Sequence, residues 1–250
     1  LFGMPKMGVA GAAIATVTGQ ICAAILAITF NLTKNRDVHI SFKGFKPQII
    51  FVKNILSVGI PSIIMSSVGS AMTFGMNKIL ITFSSTAVAV FGVYFKLNSF
   101  VFMPVFGLNN GMVPIVSYNY GAQNKKRLTK TIKLAIMYAV CIMLIGIMLF
   151  QFMPDVLLKL FDASDHMLEI GIPALRVISL SFAFAGICIV ISSSLQALGH
   201  GFLSMMISIT RQLIILLPSA YILAKFGGIH AVWWSFNIAE IGSLTLSLLF

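Results

Sequence analysis

Apolar stretches of about twenty residues alternate along this chain with short polar connections. Residues 9–32, 54–77, 134–153 and 177–198 contain no Asp, Glu, Lys or Arg, and each can cross a hydrocarbon core of about 30 Å at about 1.5 Å per residue. Three further stretches carry a single charge each: 87–112 with Lys96, 202–224 with Arg211, and 228–250 with Glu240. The apolar positions run continuously and do not alternate every second residue, which is the pattern of helices and not of barrel strands. Seven transmembrane helices are predicted, making the fold class an all-α polytopic membrane protein.

Composition narrows the possibilities. The 250 residues are 58% hydrophobic and 9% charged, whereas a soluble domain carries about a quarter charged residues. Seven helices nearly exhaust the chain, leaving no room for a soluble catalytic domain, and neither HExxH nor GxSxG occurs; no enzymatic role and no cofactor are expected. The net charge of +11 reads as topology and not as nucleic-acid binding, because Lys and Arg collect in connections that stay cytoplasmic. With the first helix running outside to inside, Lys34, Arg36, Lys43, Lys46, Lys53, Lys125, Lys126, Arg127, Lys130 and Lys133 fall inside. Lys6, Lys78, Lys159, Arg176 and Lys225 fall outside. Ten against five places the C-terminus in the cytoplasm, with the lipid bilayer of the plasma membrane as the first partner. Cys22, Cys141 and Cys188 lie inside spans without metal-ligand spacing and read as apolar fillers.

An odd helix count and a first residue other than Met suggest a fragment. The ends of the chain echo each other: Met7-Gly8-Val9-Ala10-Gly11-Ala12-Ala13 aligns with Gly227-Gly228-Ile229-His230-Ala231-Val232-Trp233, which sets Gln20 opposite Glu240. Parallel repeats of this kind mark duplicated transporters. The expected organisation is the last helix of an N-terminal lobe at 1–32, a cytoplasmic inter-lobe linker at 33–53, and a complete six-helix C-terminal lobe at 54–250. The missing N-terminal helices of the same protein would then be a partner.

The run Phe102-Met103-Pro104-Val105-Phe106-Gly107-Leu108-Asn109-Asn110-Gly111, followed by Pro114-Ile115-Val116-Ser117-Tyr118-Asn119-Tyr120-Gly121-Ala122, resembles the multidrug and toxic compound extrusion (MATE) family. So do Val58-Gly59-Ile60-Pro61 and the Phe161-Asp162 segment leading to Ala174-Leu175-Arg176. The resemblance covers the whole chain, as the sixth to twelfth helices of a twelve-helix fold. It implies a secondary antiporter that exports organic, often cationic, small molecules in exchange for Na+ or H+. Some members carry acids in the helices corresponding to 54–77 and 177–198, where this chain has none, and many carry one in the first helix, which lies outside it.

Physical chemistry gives some of these residues their own reading. Pro61, Pro104, Pro114 and Pro218 each remove a backbone donor and mark kinks or breaks; Pro61 and Pro104 with Gly107 and Gly111 are the helix-bending candidates, set against a static kink fixed by packing. Gly11, Ala15 and Gly19 have the spacing of close helix packing. Ionisable groups at membrane depth are functional candidates by default. Glu240 is the one acid inside a span and lies at about the depth of Arg211 on the preceding antiparallel helix, so the two can pair. An arginine-bound carboxylate is a poorer proton carrier than a free one facing a cavity, so structural pairing and ion coupling are competing roles for Glu240. Lys96 also reads as deep, with no acid claiming it. Gln20, Asn77, Lys96, Asn98, Asn109 and Asn110 are the candidates for a polar path or substrate cavity. Asp162, Asp165 and Glu169 share a face in an outside connection and read as solvated, without the loop glycine of a calcium site. The competing functions are a flippase for lipid-linked precursors, which needs a strongly cationic groove, and a channel or membrane scaffold, for which no filter segment is visible.

Overall fold

A backbone that cannot hydrogen-bond to lipid must satisfy itself, and these apolar runs do so by winding into helices. The computed structural model describes residues 8–35 and 48–249, and every regular element among them is helical. Of the expected linker at 33–53, residues 36–47, with Arg36, Lys43 and Lys46, lie outside the described residues, as do residues 1–7 and Phe250; its ends are helical, up to Lys34 on one side and from Ile49 on the other. In chain order the elements are α1 (Gly8–Lys34), α2 (Ile49–Leu80), α3 (Ser85–Gly121), α4 (Lys125–Phe152), α5 (Pro154–Lys159), α6 (Asp165–Ser179) and α7 (Phe182–Ala197). They continue with α8 (Gly201–Ile209), a π-helical segment (Thr210–Leu216), α9 (Leu217–Val232) and α10 (Trp234–Leu249).

The chain divides into two units, Leu1–Val52 and Lys53–Phe250. The first contributes α1, a largely apolar helix that ends in Lys34. The second holds the core, in which α4 packs against both α3 and α7. Phe182 is the keystone of that contact, with ring centroids 5.1 Å from Phe150 on α4 and 5.3 Å from Phe102 on α3, both edge-on. Close approach is obtained by omitting side chains: a Cβ on Gly146 would sit 2.3 Å from Val101 Cγ1, and one on Gly186 would meet Met143 Cγ at 2.9 Å.

Five helices are long and apolar enough to cross a membrane, or six when the bent pair α6 and α7 counts as one span. The structure thus gives the all-helical membrane class without establishing seven crossings. Stretch 228–250 corresponds to α10, whose 16 residues rise only about 24 Å, preceded by a turn at Gly228 (φ 67°, ψ −167°). The fifth stretch starts earlier than the charge-free run 177–198 implied. Asp165, Glu169 and Arg176 belong to α6, whose start Ser164 caps by accepting from the Met167 amide at 3.4 Å. The Tyr118–Ala122 motif closes α3, and the turn after it leads to Asn124, which caps α4 by accepting from the Arg127 amide at 3.1 Å.

The prolines fall in different settings. α2 runs through Pro61, and α3 through Pro104 and Pro114, as continuous helices. The bend of 50° falls between α6 and α7, at Leu180 and Ser181. Three carbonyls leading into it are claimed by side chains: Gln151 Nε2 donates to Arg176 O at 2.8 Å, Asn237 Nδ2 to Val177 O at 2.8 Å, and Ser181 Oγ to Ile178 O at 2.7 Å. A helix break inside a membrane persists only where protein or water supplies such partners. Pro218 acts on the turn before it, since its ring crowds the carbonyl of Ile214 and the chain there widens into the π-helical segment. Ser219 Oγ then donates to the loosened carbonyls of Ile215 at 2.7 Å and Leu216 at 3.0 Å.

Candidate functional site: a polar cavity in the larger unit

Within the larger unit, α2, α3, α7, α8, the π-helical segment and α10 line an open cavity of about 1050 Å3. That volume is at the upper end of pockets that hold drug-sized molecules, about 300–1,000 Å3. Hydroxyl and amide groups from α2 and α7 line it, with Phe95, Phe102, Phe182 and Phe236 as aromatic wall. The helices reach it because Gly75 lets Leu217 pack against α2, and Gly242 lets Ile215 pack against α10, each at a distance that a Cβ would occupy.

Two charged residues stand among the lining side chains, Arg211 and Glu240. The structure brings them together: Arg211 Nη1 donates to Glu240 Oε1 at 2.9 Å, with the side chains 23% and 13% exposed. Arg211 lies in the π-helical segment and Glu240 on α10, two residues before the Gly242 contact. Tyr94 and Asn98, one turn apart on α3, also line the cavity, and the Tyr94 hydroxyl reaches Asn98 Oδ1 at 3.5 Å. At the end of the cavity bounded by α2, α7 and α8, Gln196 Nε2 donates to Ser204 Oγ at 3.0 Å, Ser204 pairs with Ser192, and Ser204 Oγ approaches Met65 Sδ at 3.5 Å. This cluster was not anticipated; the repeated serines at 192–194 followed by Gln196 were its signal.

The other candidate residues scatter. Asn77 and Asn98 line the cavity. Lys96 is exposed on α3, with its ammonium 5.7 Å from the centroid of Phe161 in the connection between α5 and α6. Asn109 is buried in α3 with neither amide atom partnered among the described residues, and Asn110 is exposed on the same helix. Gln20 is exposed on α1 in the other unit. Pro104, Gly107 and Gly111 lie along one exposed side of α3. Cys188 lines the cavity, whereas Cys22 and Cys141 are exposed. Among the described residues no cluster of His, Cys, Asp and Glu has the makings of a metal site, and Glu169 pairs with His166 at 3.5 Å on the exposed side of α6.

Comparison with known proteins bears on this architecture. The MatE family model matches residues 61–222. The multidrug export protein MepA of Staphylococcus haemolyticus is 28% identical over 245 residues, covering 96% of this chain and 52% of that protein. The chain therefore spans about half the length of the curated relatives it matches. Among solved structures, the outward-facing conformation of a multidrug resistance MATE family transporter of the MOP superfamily superposes with a TM-score of 0.88 at 26% identity, over 97% of this chain and 55% of the other. A MOP superfamily transporter from Pyrococcus furiosus, characterised by the reverse polarity of its binding pocket, superposes with a TM-score of 0.89 at 26% identity, over 98% and 56%. With an all-helical fold, apolar spans and a family match over most of its length, this chain belongs to the MatE family of multidrug and toxic compound extrusion proteins.

Proposed function

We propose that this chain supplies one lobe of a secondary transporter that exports small, drug-like organic molecules by alternating access, in exchange for H+ or Na+. The observation that carries the reading is the cavity of about 1050 Å3. It is large enough for a drug-sized ligand, mixes aromatic walls with hydroxyl and amide groups, and contains the Arg211–Glu240 pair. Such sites occur where helices of a transporter lobe meet around interrupted segments. The bend between α6 and α7 and the π-helical segment before Pro218 are such interruptions, and both border the cavity.

Relatives named as multidrug export proteins support export of dissimilar compounds. For the Pyrococcus furiosus transporter a binding pocket of reverse polarity suggests a different function, so the charge class of the ligand has to be read from this chain's own cavity. A flippase for lipid-linked precursors fits less well, because one paired arginine is a weak site for a pyrophosphate head group. The Lys and Arg bias places the cationic start of α4 and the C-terminus in the cytoplasm. A coupling ion shifts the lobes only if it binds the two orientations unequally.

Reconstitution in liposomes tests this. Efflux of a fluorescent dye is expected to require an imposed H+ or Na+ gradient and to collapse when that gradient is dissipated by an ionophore. Efflux of equal rate without any gradient contradicts antiport.

A further inference from the structure

The ion pair is asymmetric toward the cavity. Glu240 Oε1 is taken by Arg211, and Oε2 is sealed from the cavity with no hydrogen-bond partner among the described residues. The guanidinium is the more exposed member, 23% against 13%. Its one hydrogen bond among the described residues uses Nη1, so most of its five N–H donors remain uncommitted. Ser70, Ser208 and Gln212 line the same cavity and make no side-chain hydrogen bond to other described residues. Gln212 reaches toward α2, with its Oε1 3.8 Å from where a Gly69 Cβ would stand.

The local backbone supports a dedicated position. Arg211 and Gln212 both belong to the π-helical segment, a conformation that accounts for well under 1% of residues and gathers at functional sites. The wider turn is set from below by Pro218, not by the pair itself.

We infer that the recognition group of this cavity is Arg211, with Glu240 as its holder, and that the site takes an organic ligand bearing a single anionic head, a carboxylate or sulfonate, on an aromatic body. A carboxylate matches the fork of guanidinium donors, with the hydroxyls and amide beside it as further donors. The body lies against Phe95, Phe102, Phe182 and Phe236. A cationic ligand meets the opposite situation: the free acid oxygen is sealed, so the ligand must displace Arg211 from Oε1 and leave the guanidinium uncompensated beside it. A pyrophosphate would bring more charge than one already paired arginine neutralises. This inference rests on the cavity being a ligand site, as proposed above, and adds the charge of the ligand.

Equilibrium binding to the purified protein in detergent, with no gradient present, tests it with two probes that share an aromatic body, 2-naphthoate and 2-naphthylmethylammonium. Naphthoate is expected to bind at least tenfold more tightly than the ammonium. Arg211→Gln should lose naphthoate affinity by tenfold or more. The double variant Arg211→Gln, Glu240→Gln, which leaves no unpaired charge to disturb folding, should lose it equally. Glu240→Gln should tighten naphthoate several-fold, because the competing carboxylate is gone. Preference for the ammonium, with loss of its binding in Glu240→Gln, overturns the inference in favour of an acid-centred site, and so does naphthoate binding that survives unchanged in the double variant. Failure of both probes to bind while gradient-driven dye flux persists sinks the inference and leaves the transport reading intact. Arg211-dependent naphthoate binding without gradient-driven flux does the reverse.

Discussion

Arg211 and Glu240 show how much a single pair of side chains can decide in an apolar interior. Separating such a pair is costly because the survivor is left charged without a partner, up to about 3–5 kcal/mol when fully buried. Here the costs should be smaller and unequal. Glu240→Gln leaves a guanidinium that water in the cavity still reaches, whereas Arg211→Gln leaves an acid whose Oε2 is sealed. Thermal unfolding in detergent should therefore show Arg211→Gln as the more damaging single change, by roughly 1–3 kcal/mol, and the double variant as better than either single. Additive losses would mean that the two side chains do not depend on each other. Both residues were visible in the sequence, because a charge inside an apolar run stands out. The sequence did not reveal which of them faces the cavity, since exposure depends on the rotation of three helices about their axes. For Lys96 the sequence leaves depth open: α3 has 37 residues, about 55 Å, so a position ten residues into an apolar run does not fix a depth in the bilayer.

Among the elements, the apolar runs located the helices, but they did not reveal the bend between α6 and α7. Pro61, Pro104 and Pro114 are absorbed inside continuous helices, and the bend between α6 and α7 has no proline at all. What marks that bend is a set of polar partners arriving from other helices, Gln151 on α4 and Asn237 on α10. No local window could contain them, because they lie 25 and 60 residues away. Asn237→Leu orphans the Val177 carbonyl and should cost about 1–3 kcal/mol of thermal stability, whereas Gln151→Leu should cost less, because the Arg176 carbonyl keeps its bond from Ser179 Oγ at 2.9 Å. If both variants unfold like the parent, the bend is held by something other than these bonds. Gly146→Ala should cost about 1–3 kcal/mol as well, since the β-branched Val101 stands where the new methyl must go. Pro218→Ala should act in the opposite sense on stability, raising the melting temperature by letting the chain regain a regular helical turn. It should at the same time weaken ligand affinity by rotating Arg211 away from the cavity. A variant that gains stability and keeps its affinity would detach the π-helical segment from the site.

For the whole molecule, composition alone placed the chain in a membrane, and the motifs from Phe102 to Ala122 placed it in its family. The partition of functional residues was less legible. Candidates chosen as polar groups inside apolar runs ended on different surfaces: Asn77 and Asn98 in the cavity, Asn110 on an exposed helix side, Lys96 against Phe161. Cavity membership depends on which helices meet, and α2, α3, α7, α8, the π-helical segment and α10 are brought together by tertiary packing that no periodicity within one helix encodes. Tyr94, Gln212 and the Ser192–Ser204–Gln196 cluster entered the picture only through that meeting.

The central claim is that the transported compound enters this cavity. The most direct measurement is protection of a single cysteine at Asn98, which lines it. With Cys22, Cys141 and Cys188 replaced by Ala, Asn98→Cys should react with a small water-soluble thiol reagent, and a saturating transported compound should slow that reaction several-fold. An unchanged labelling rate in protein that still transports the compound would contradict the account.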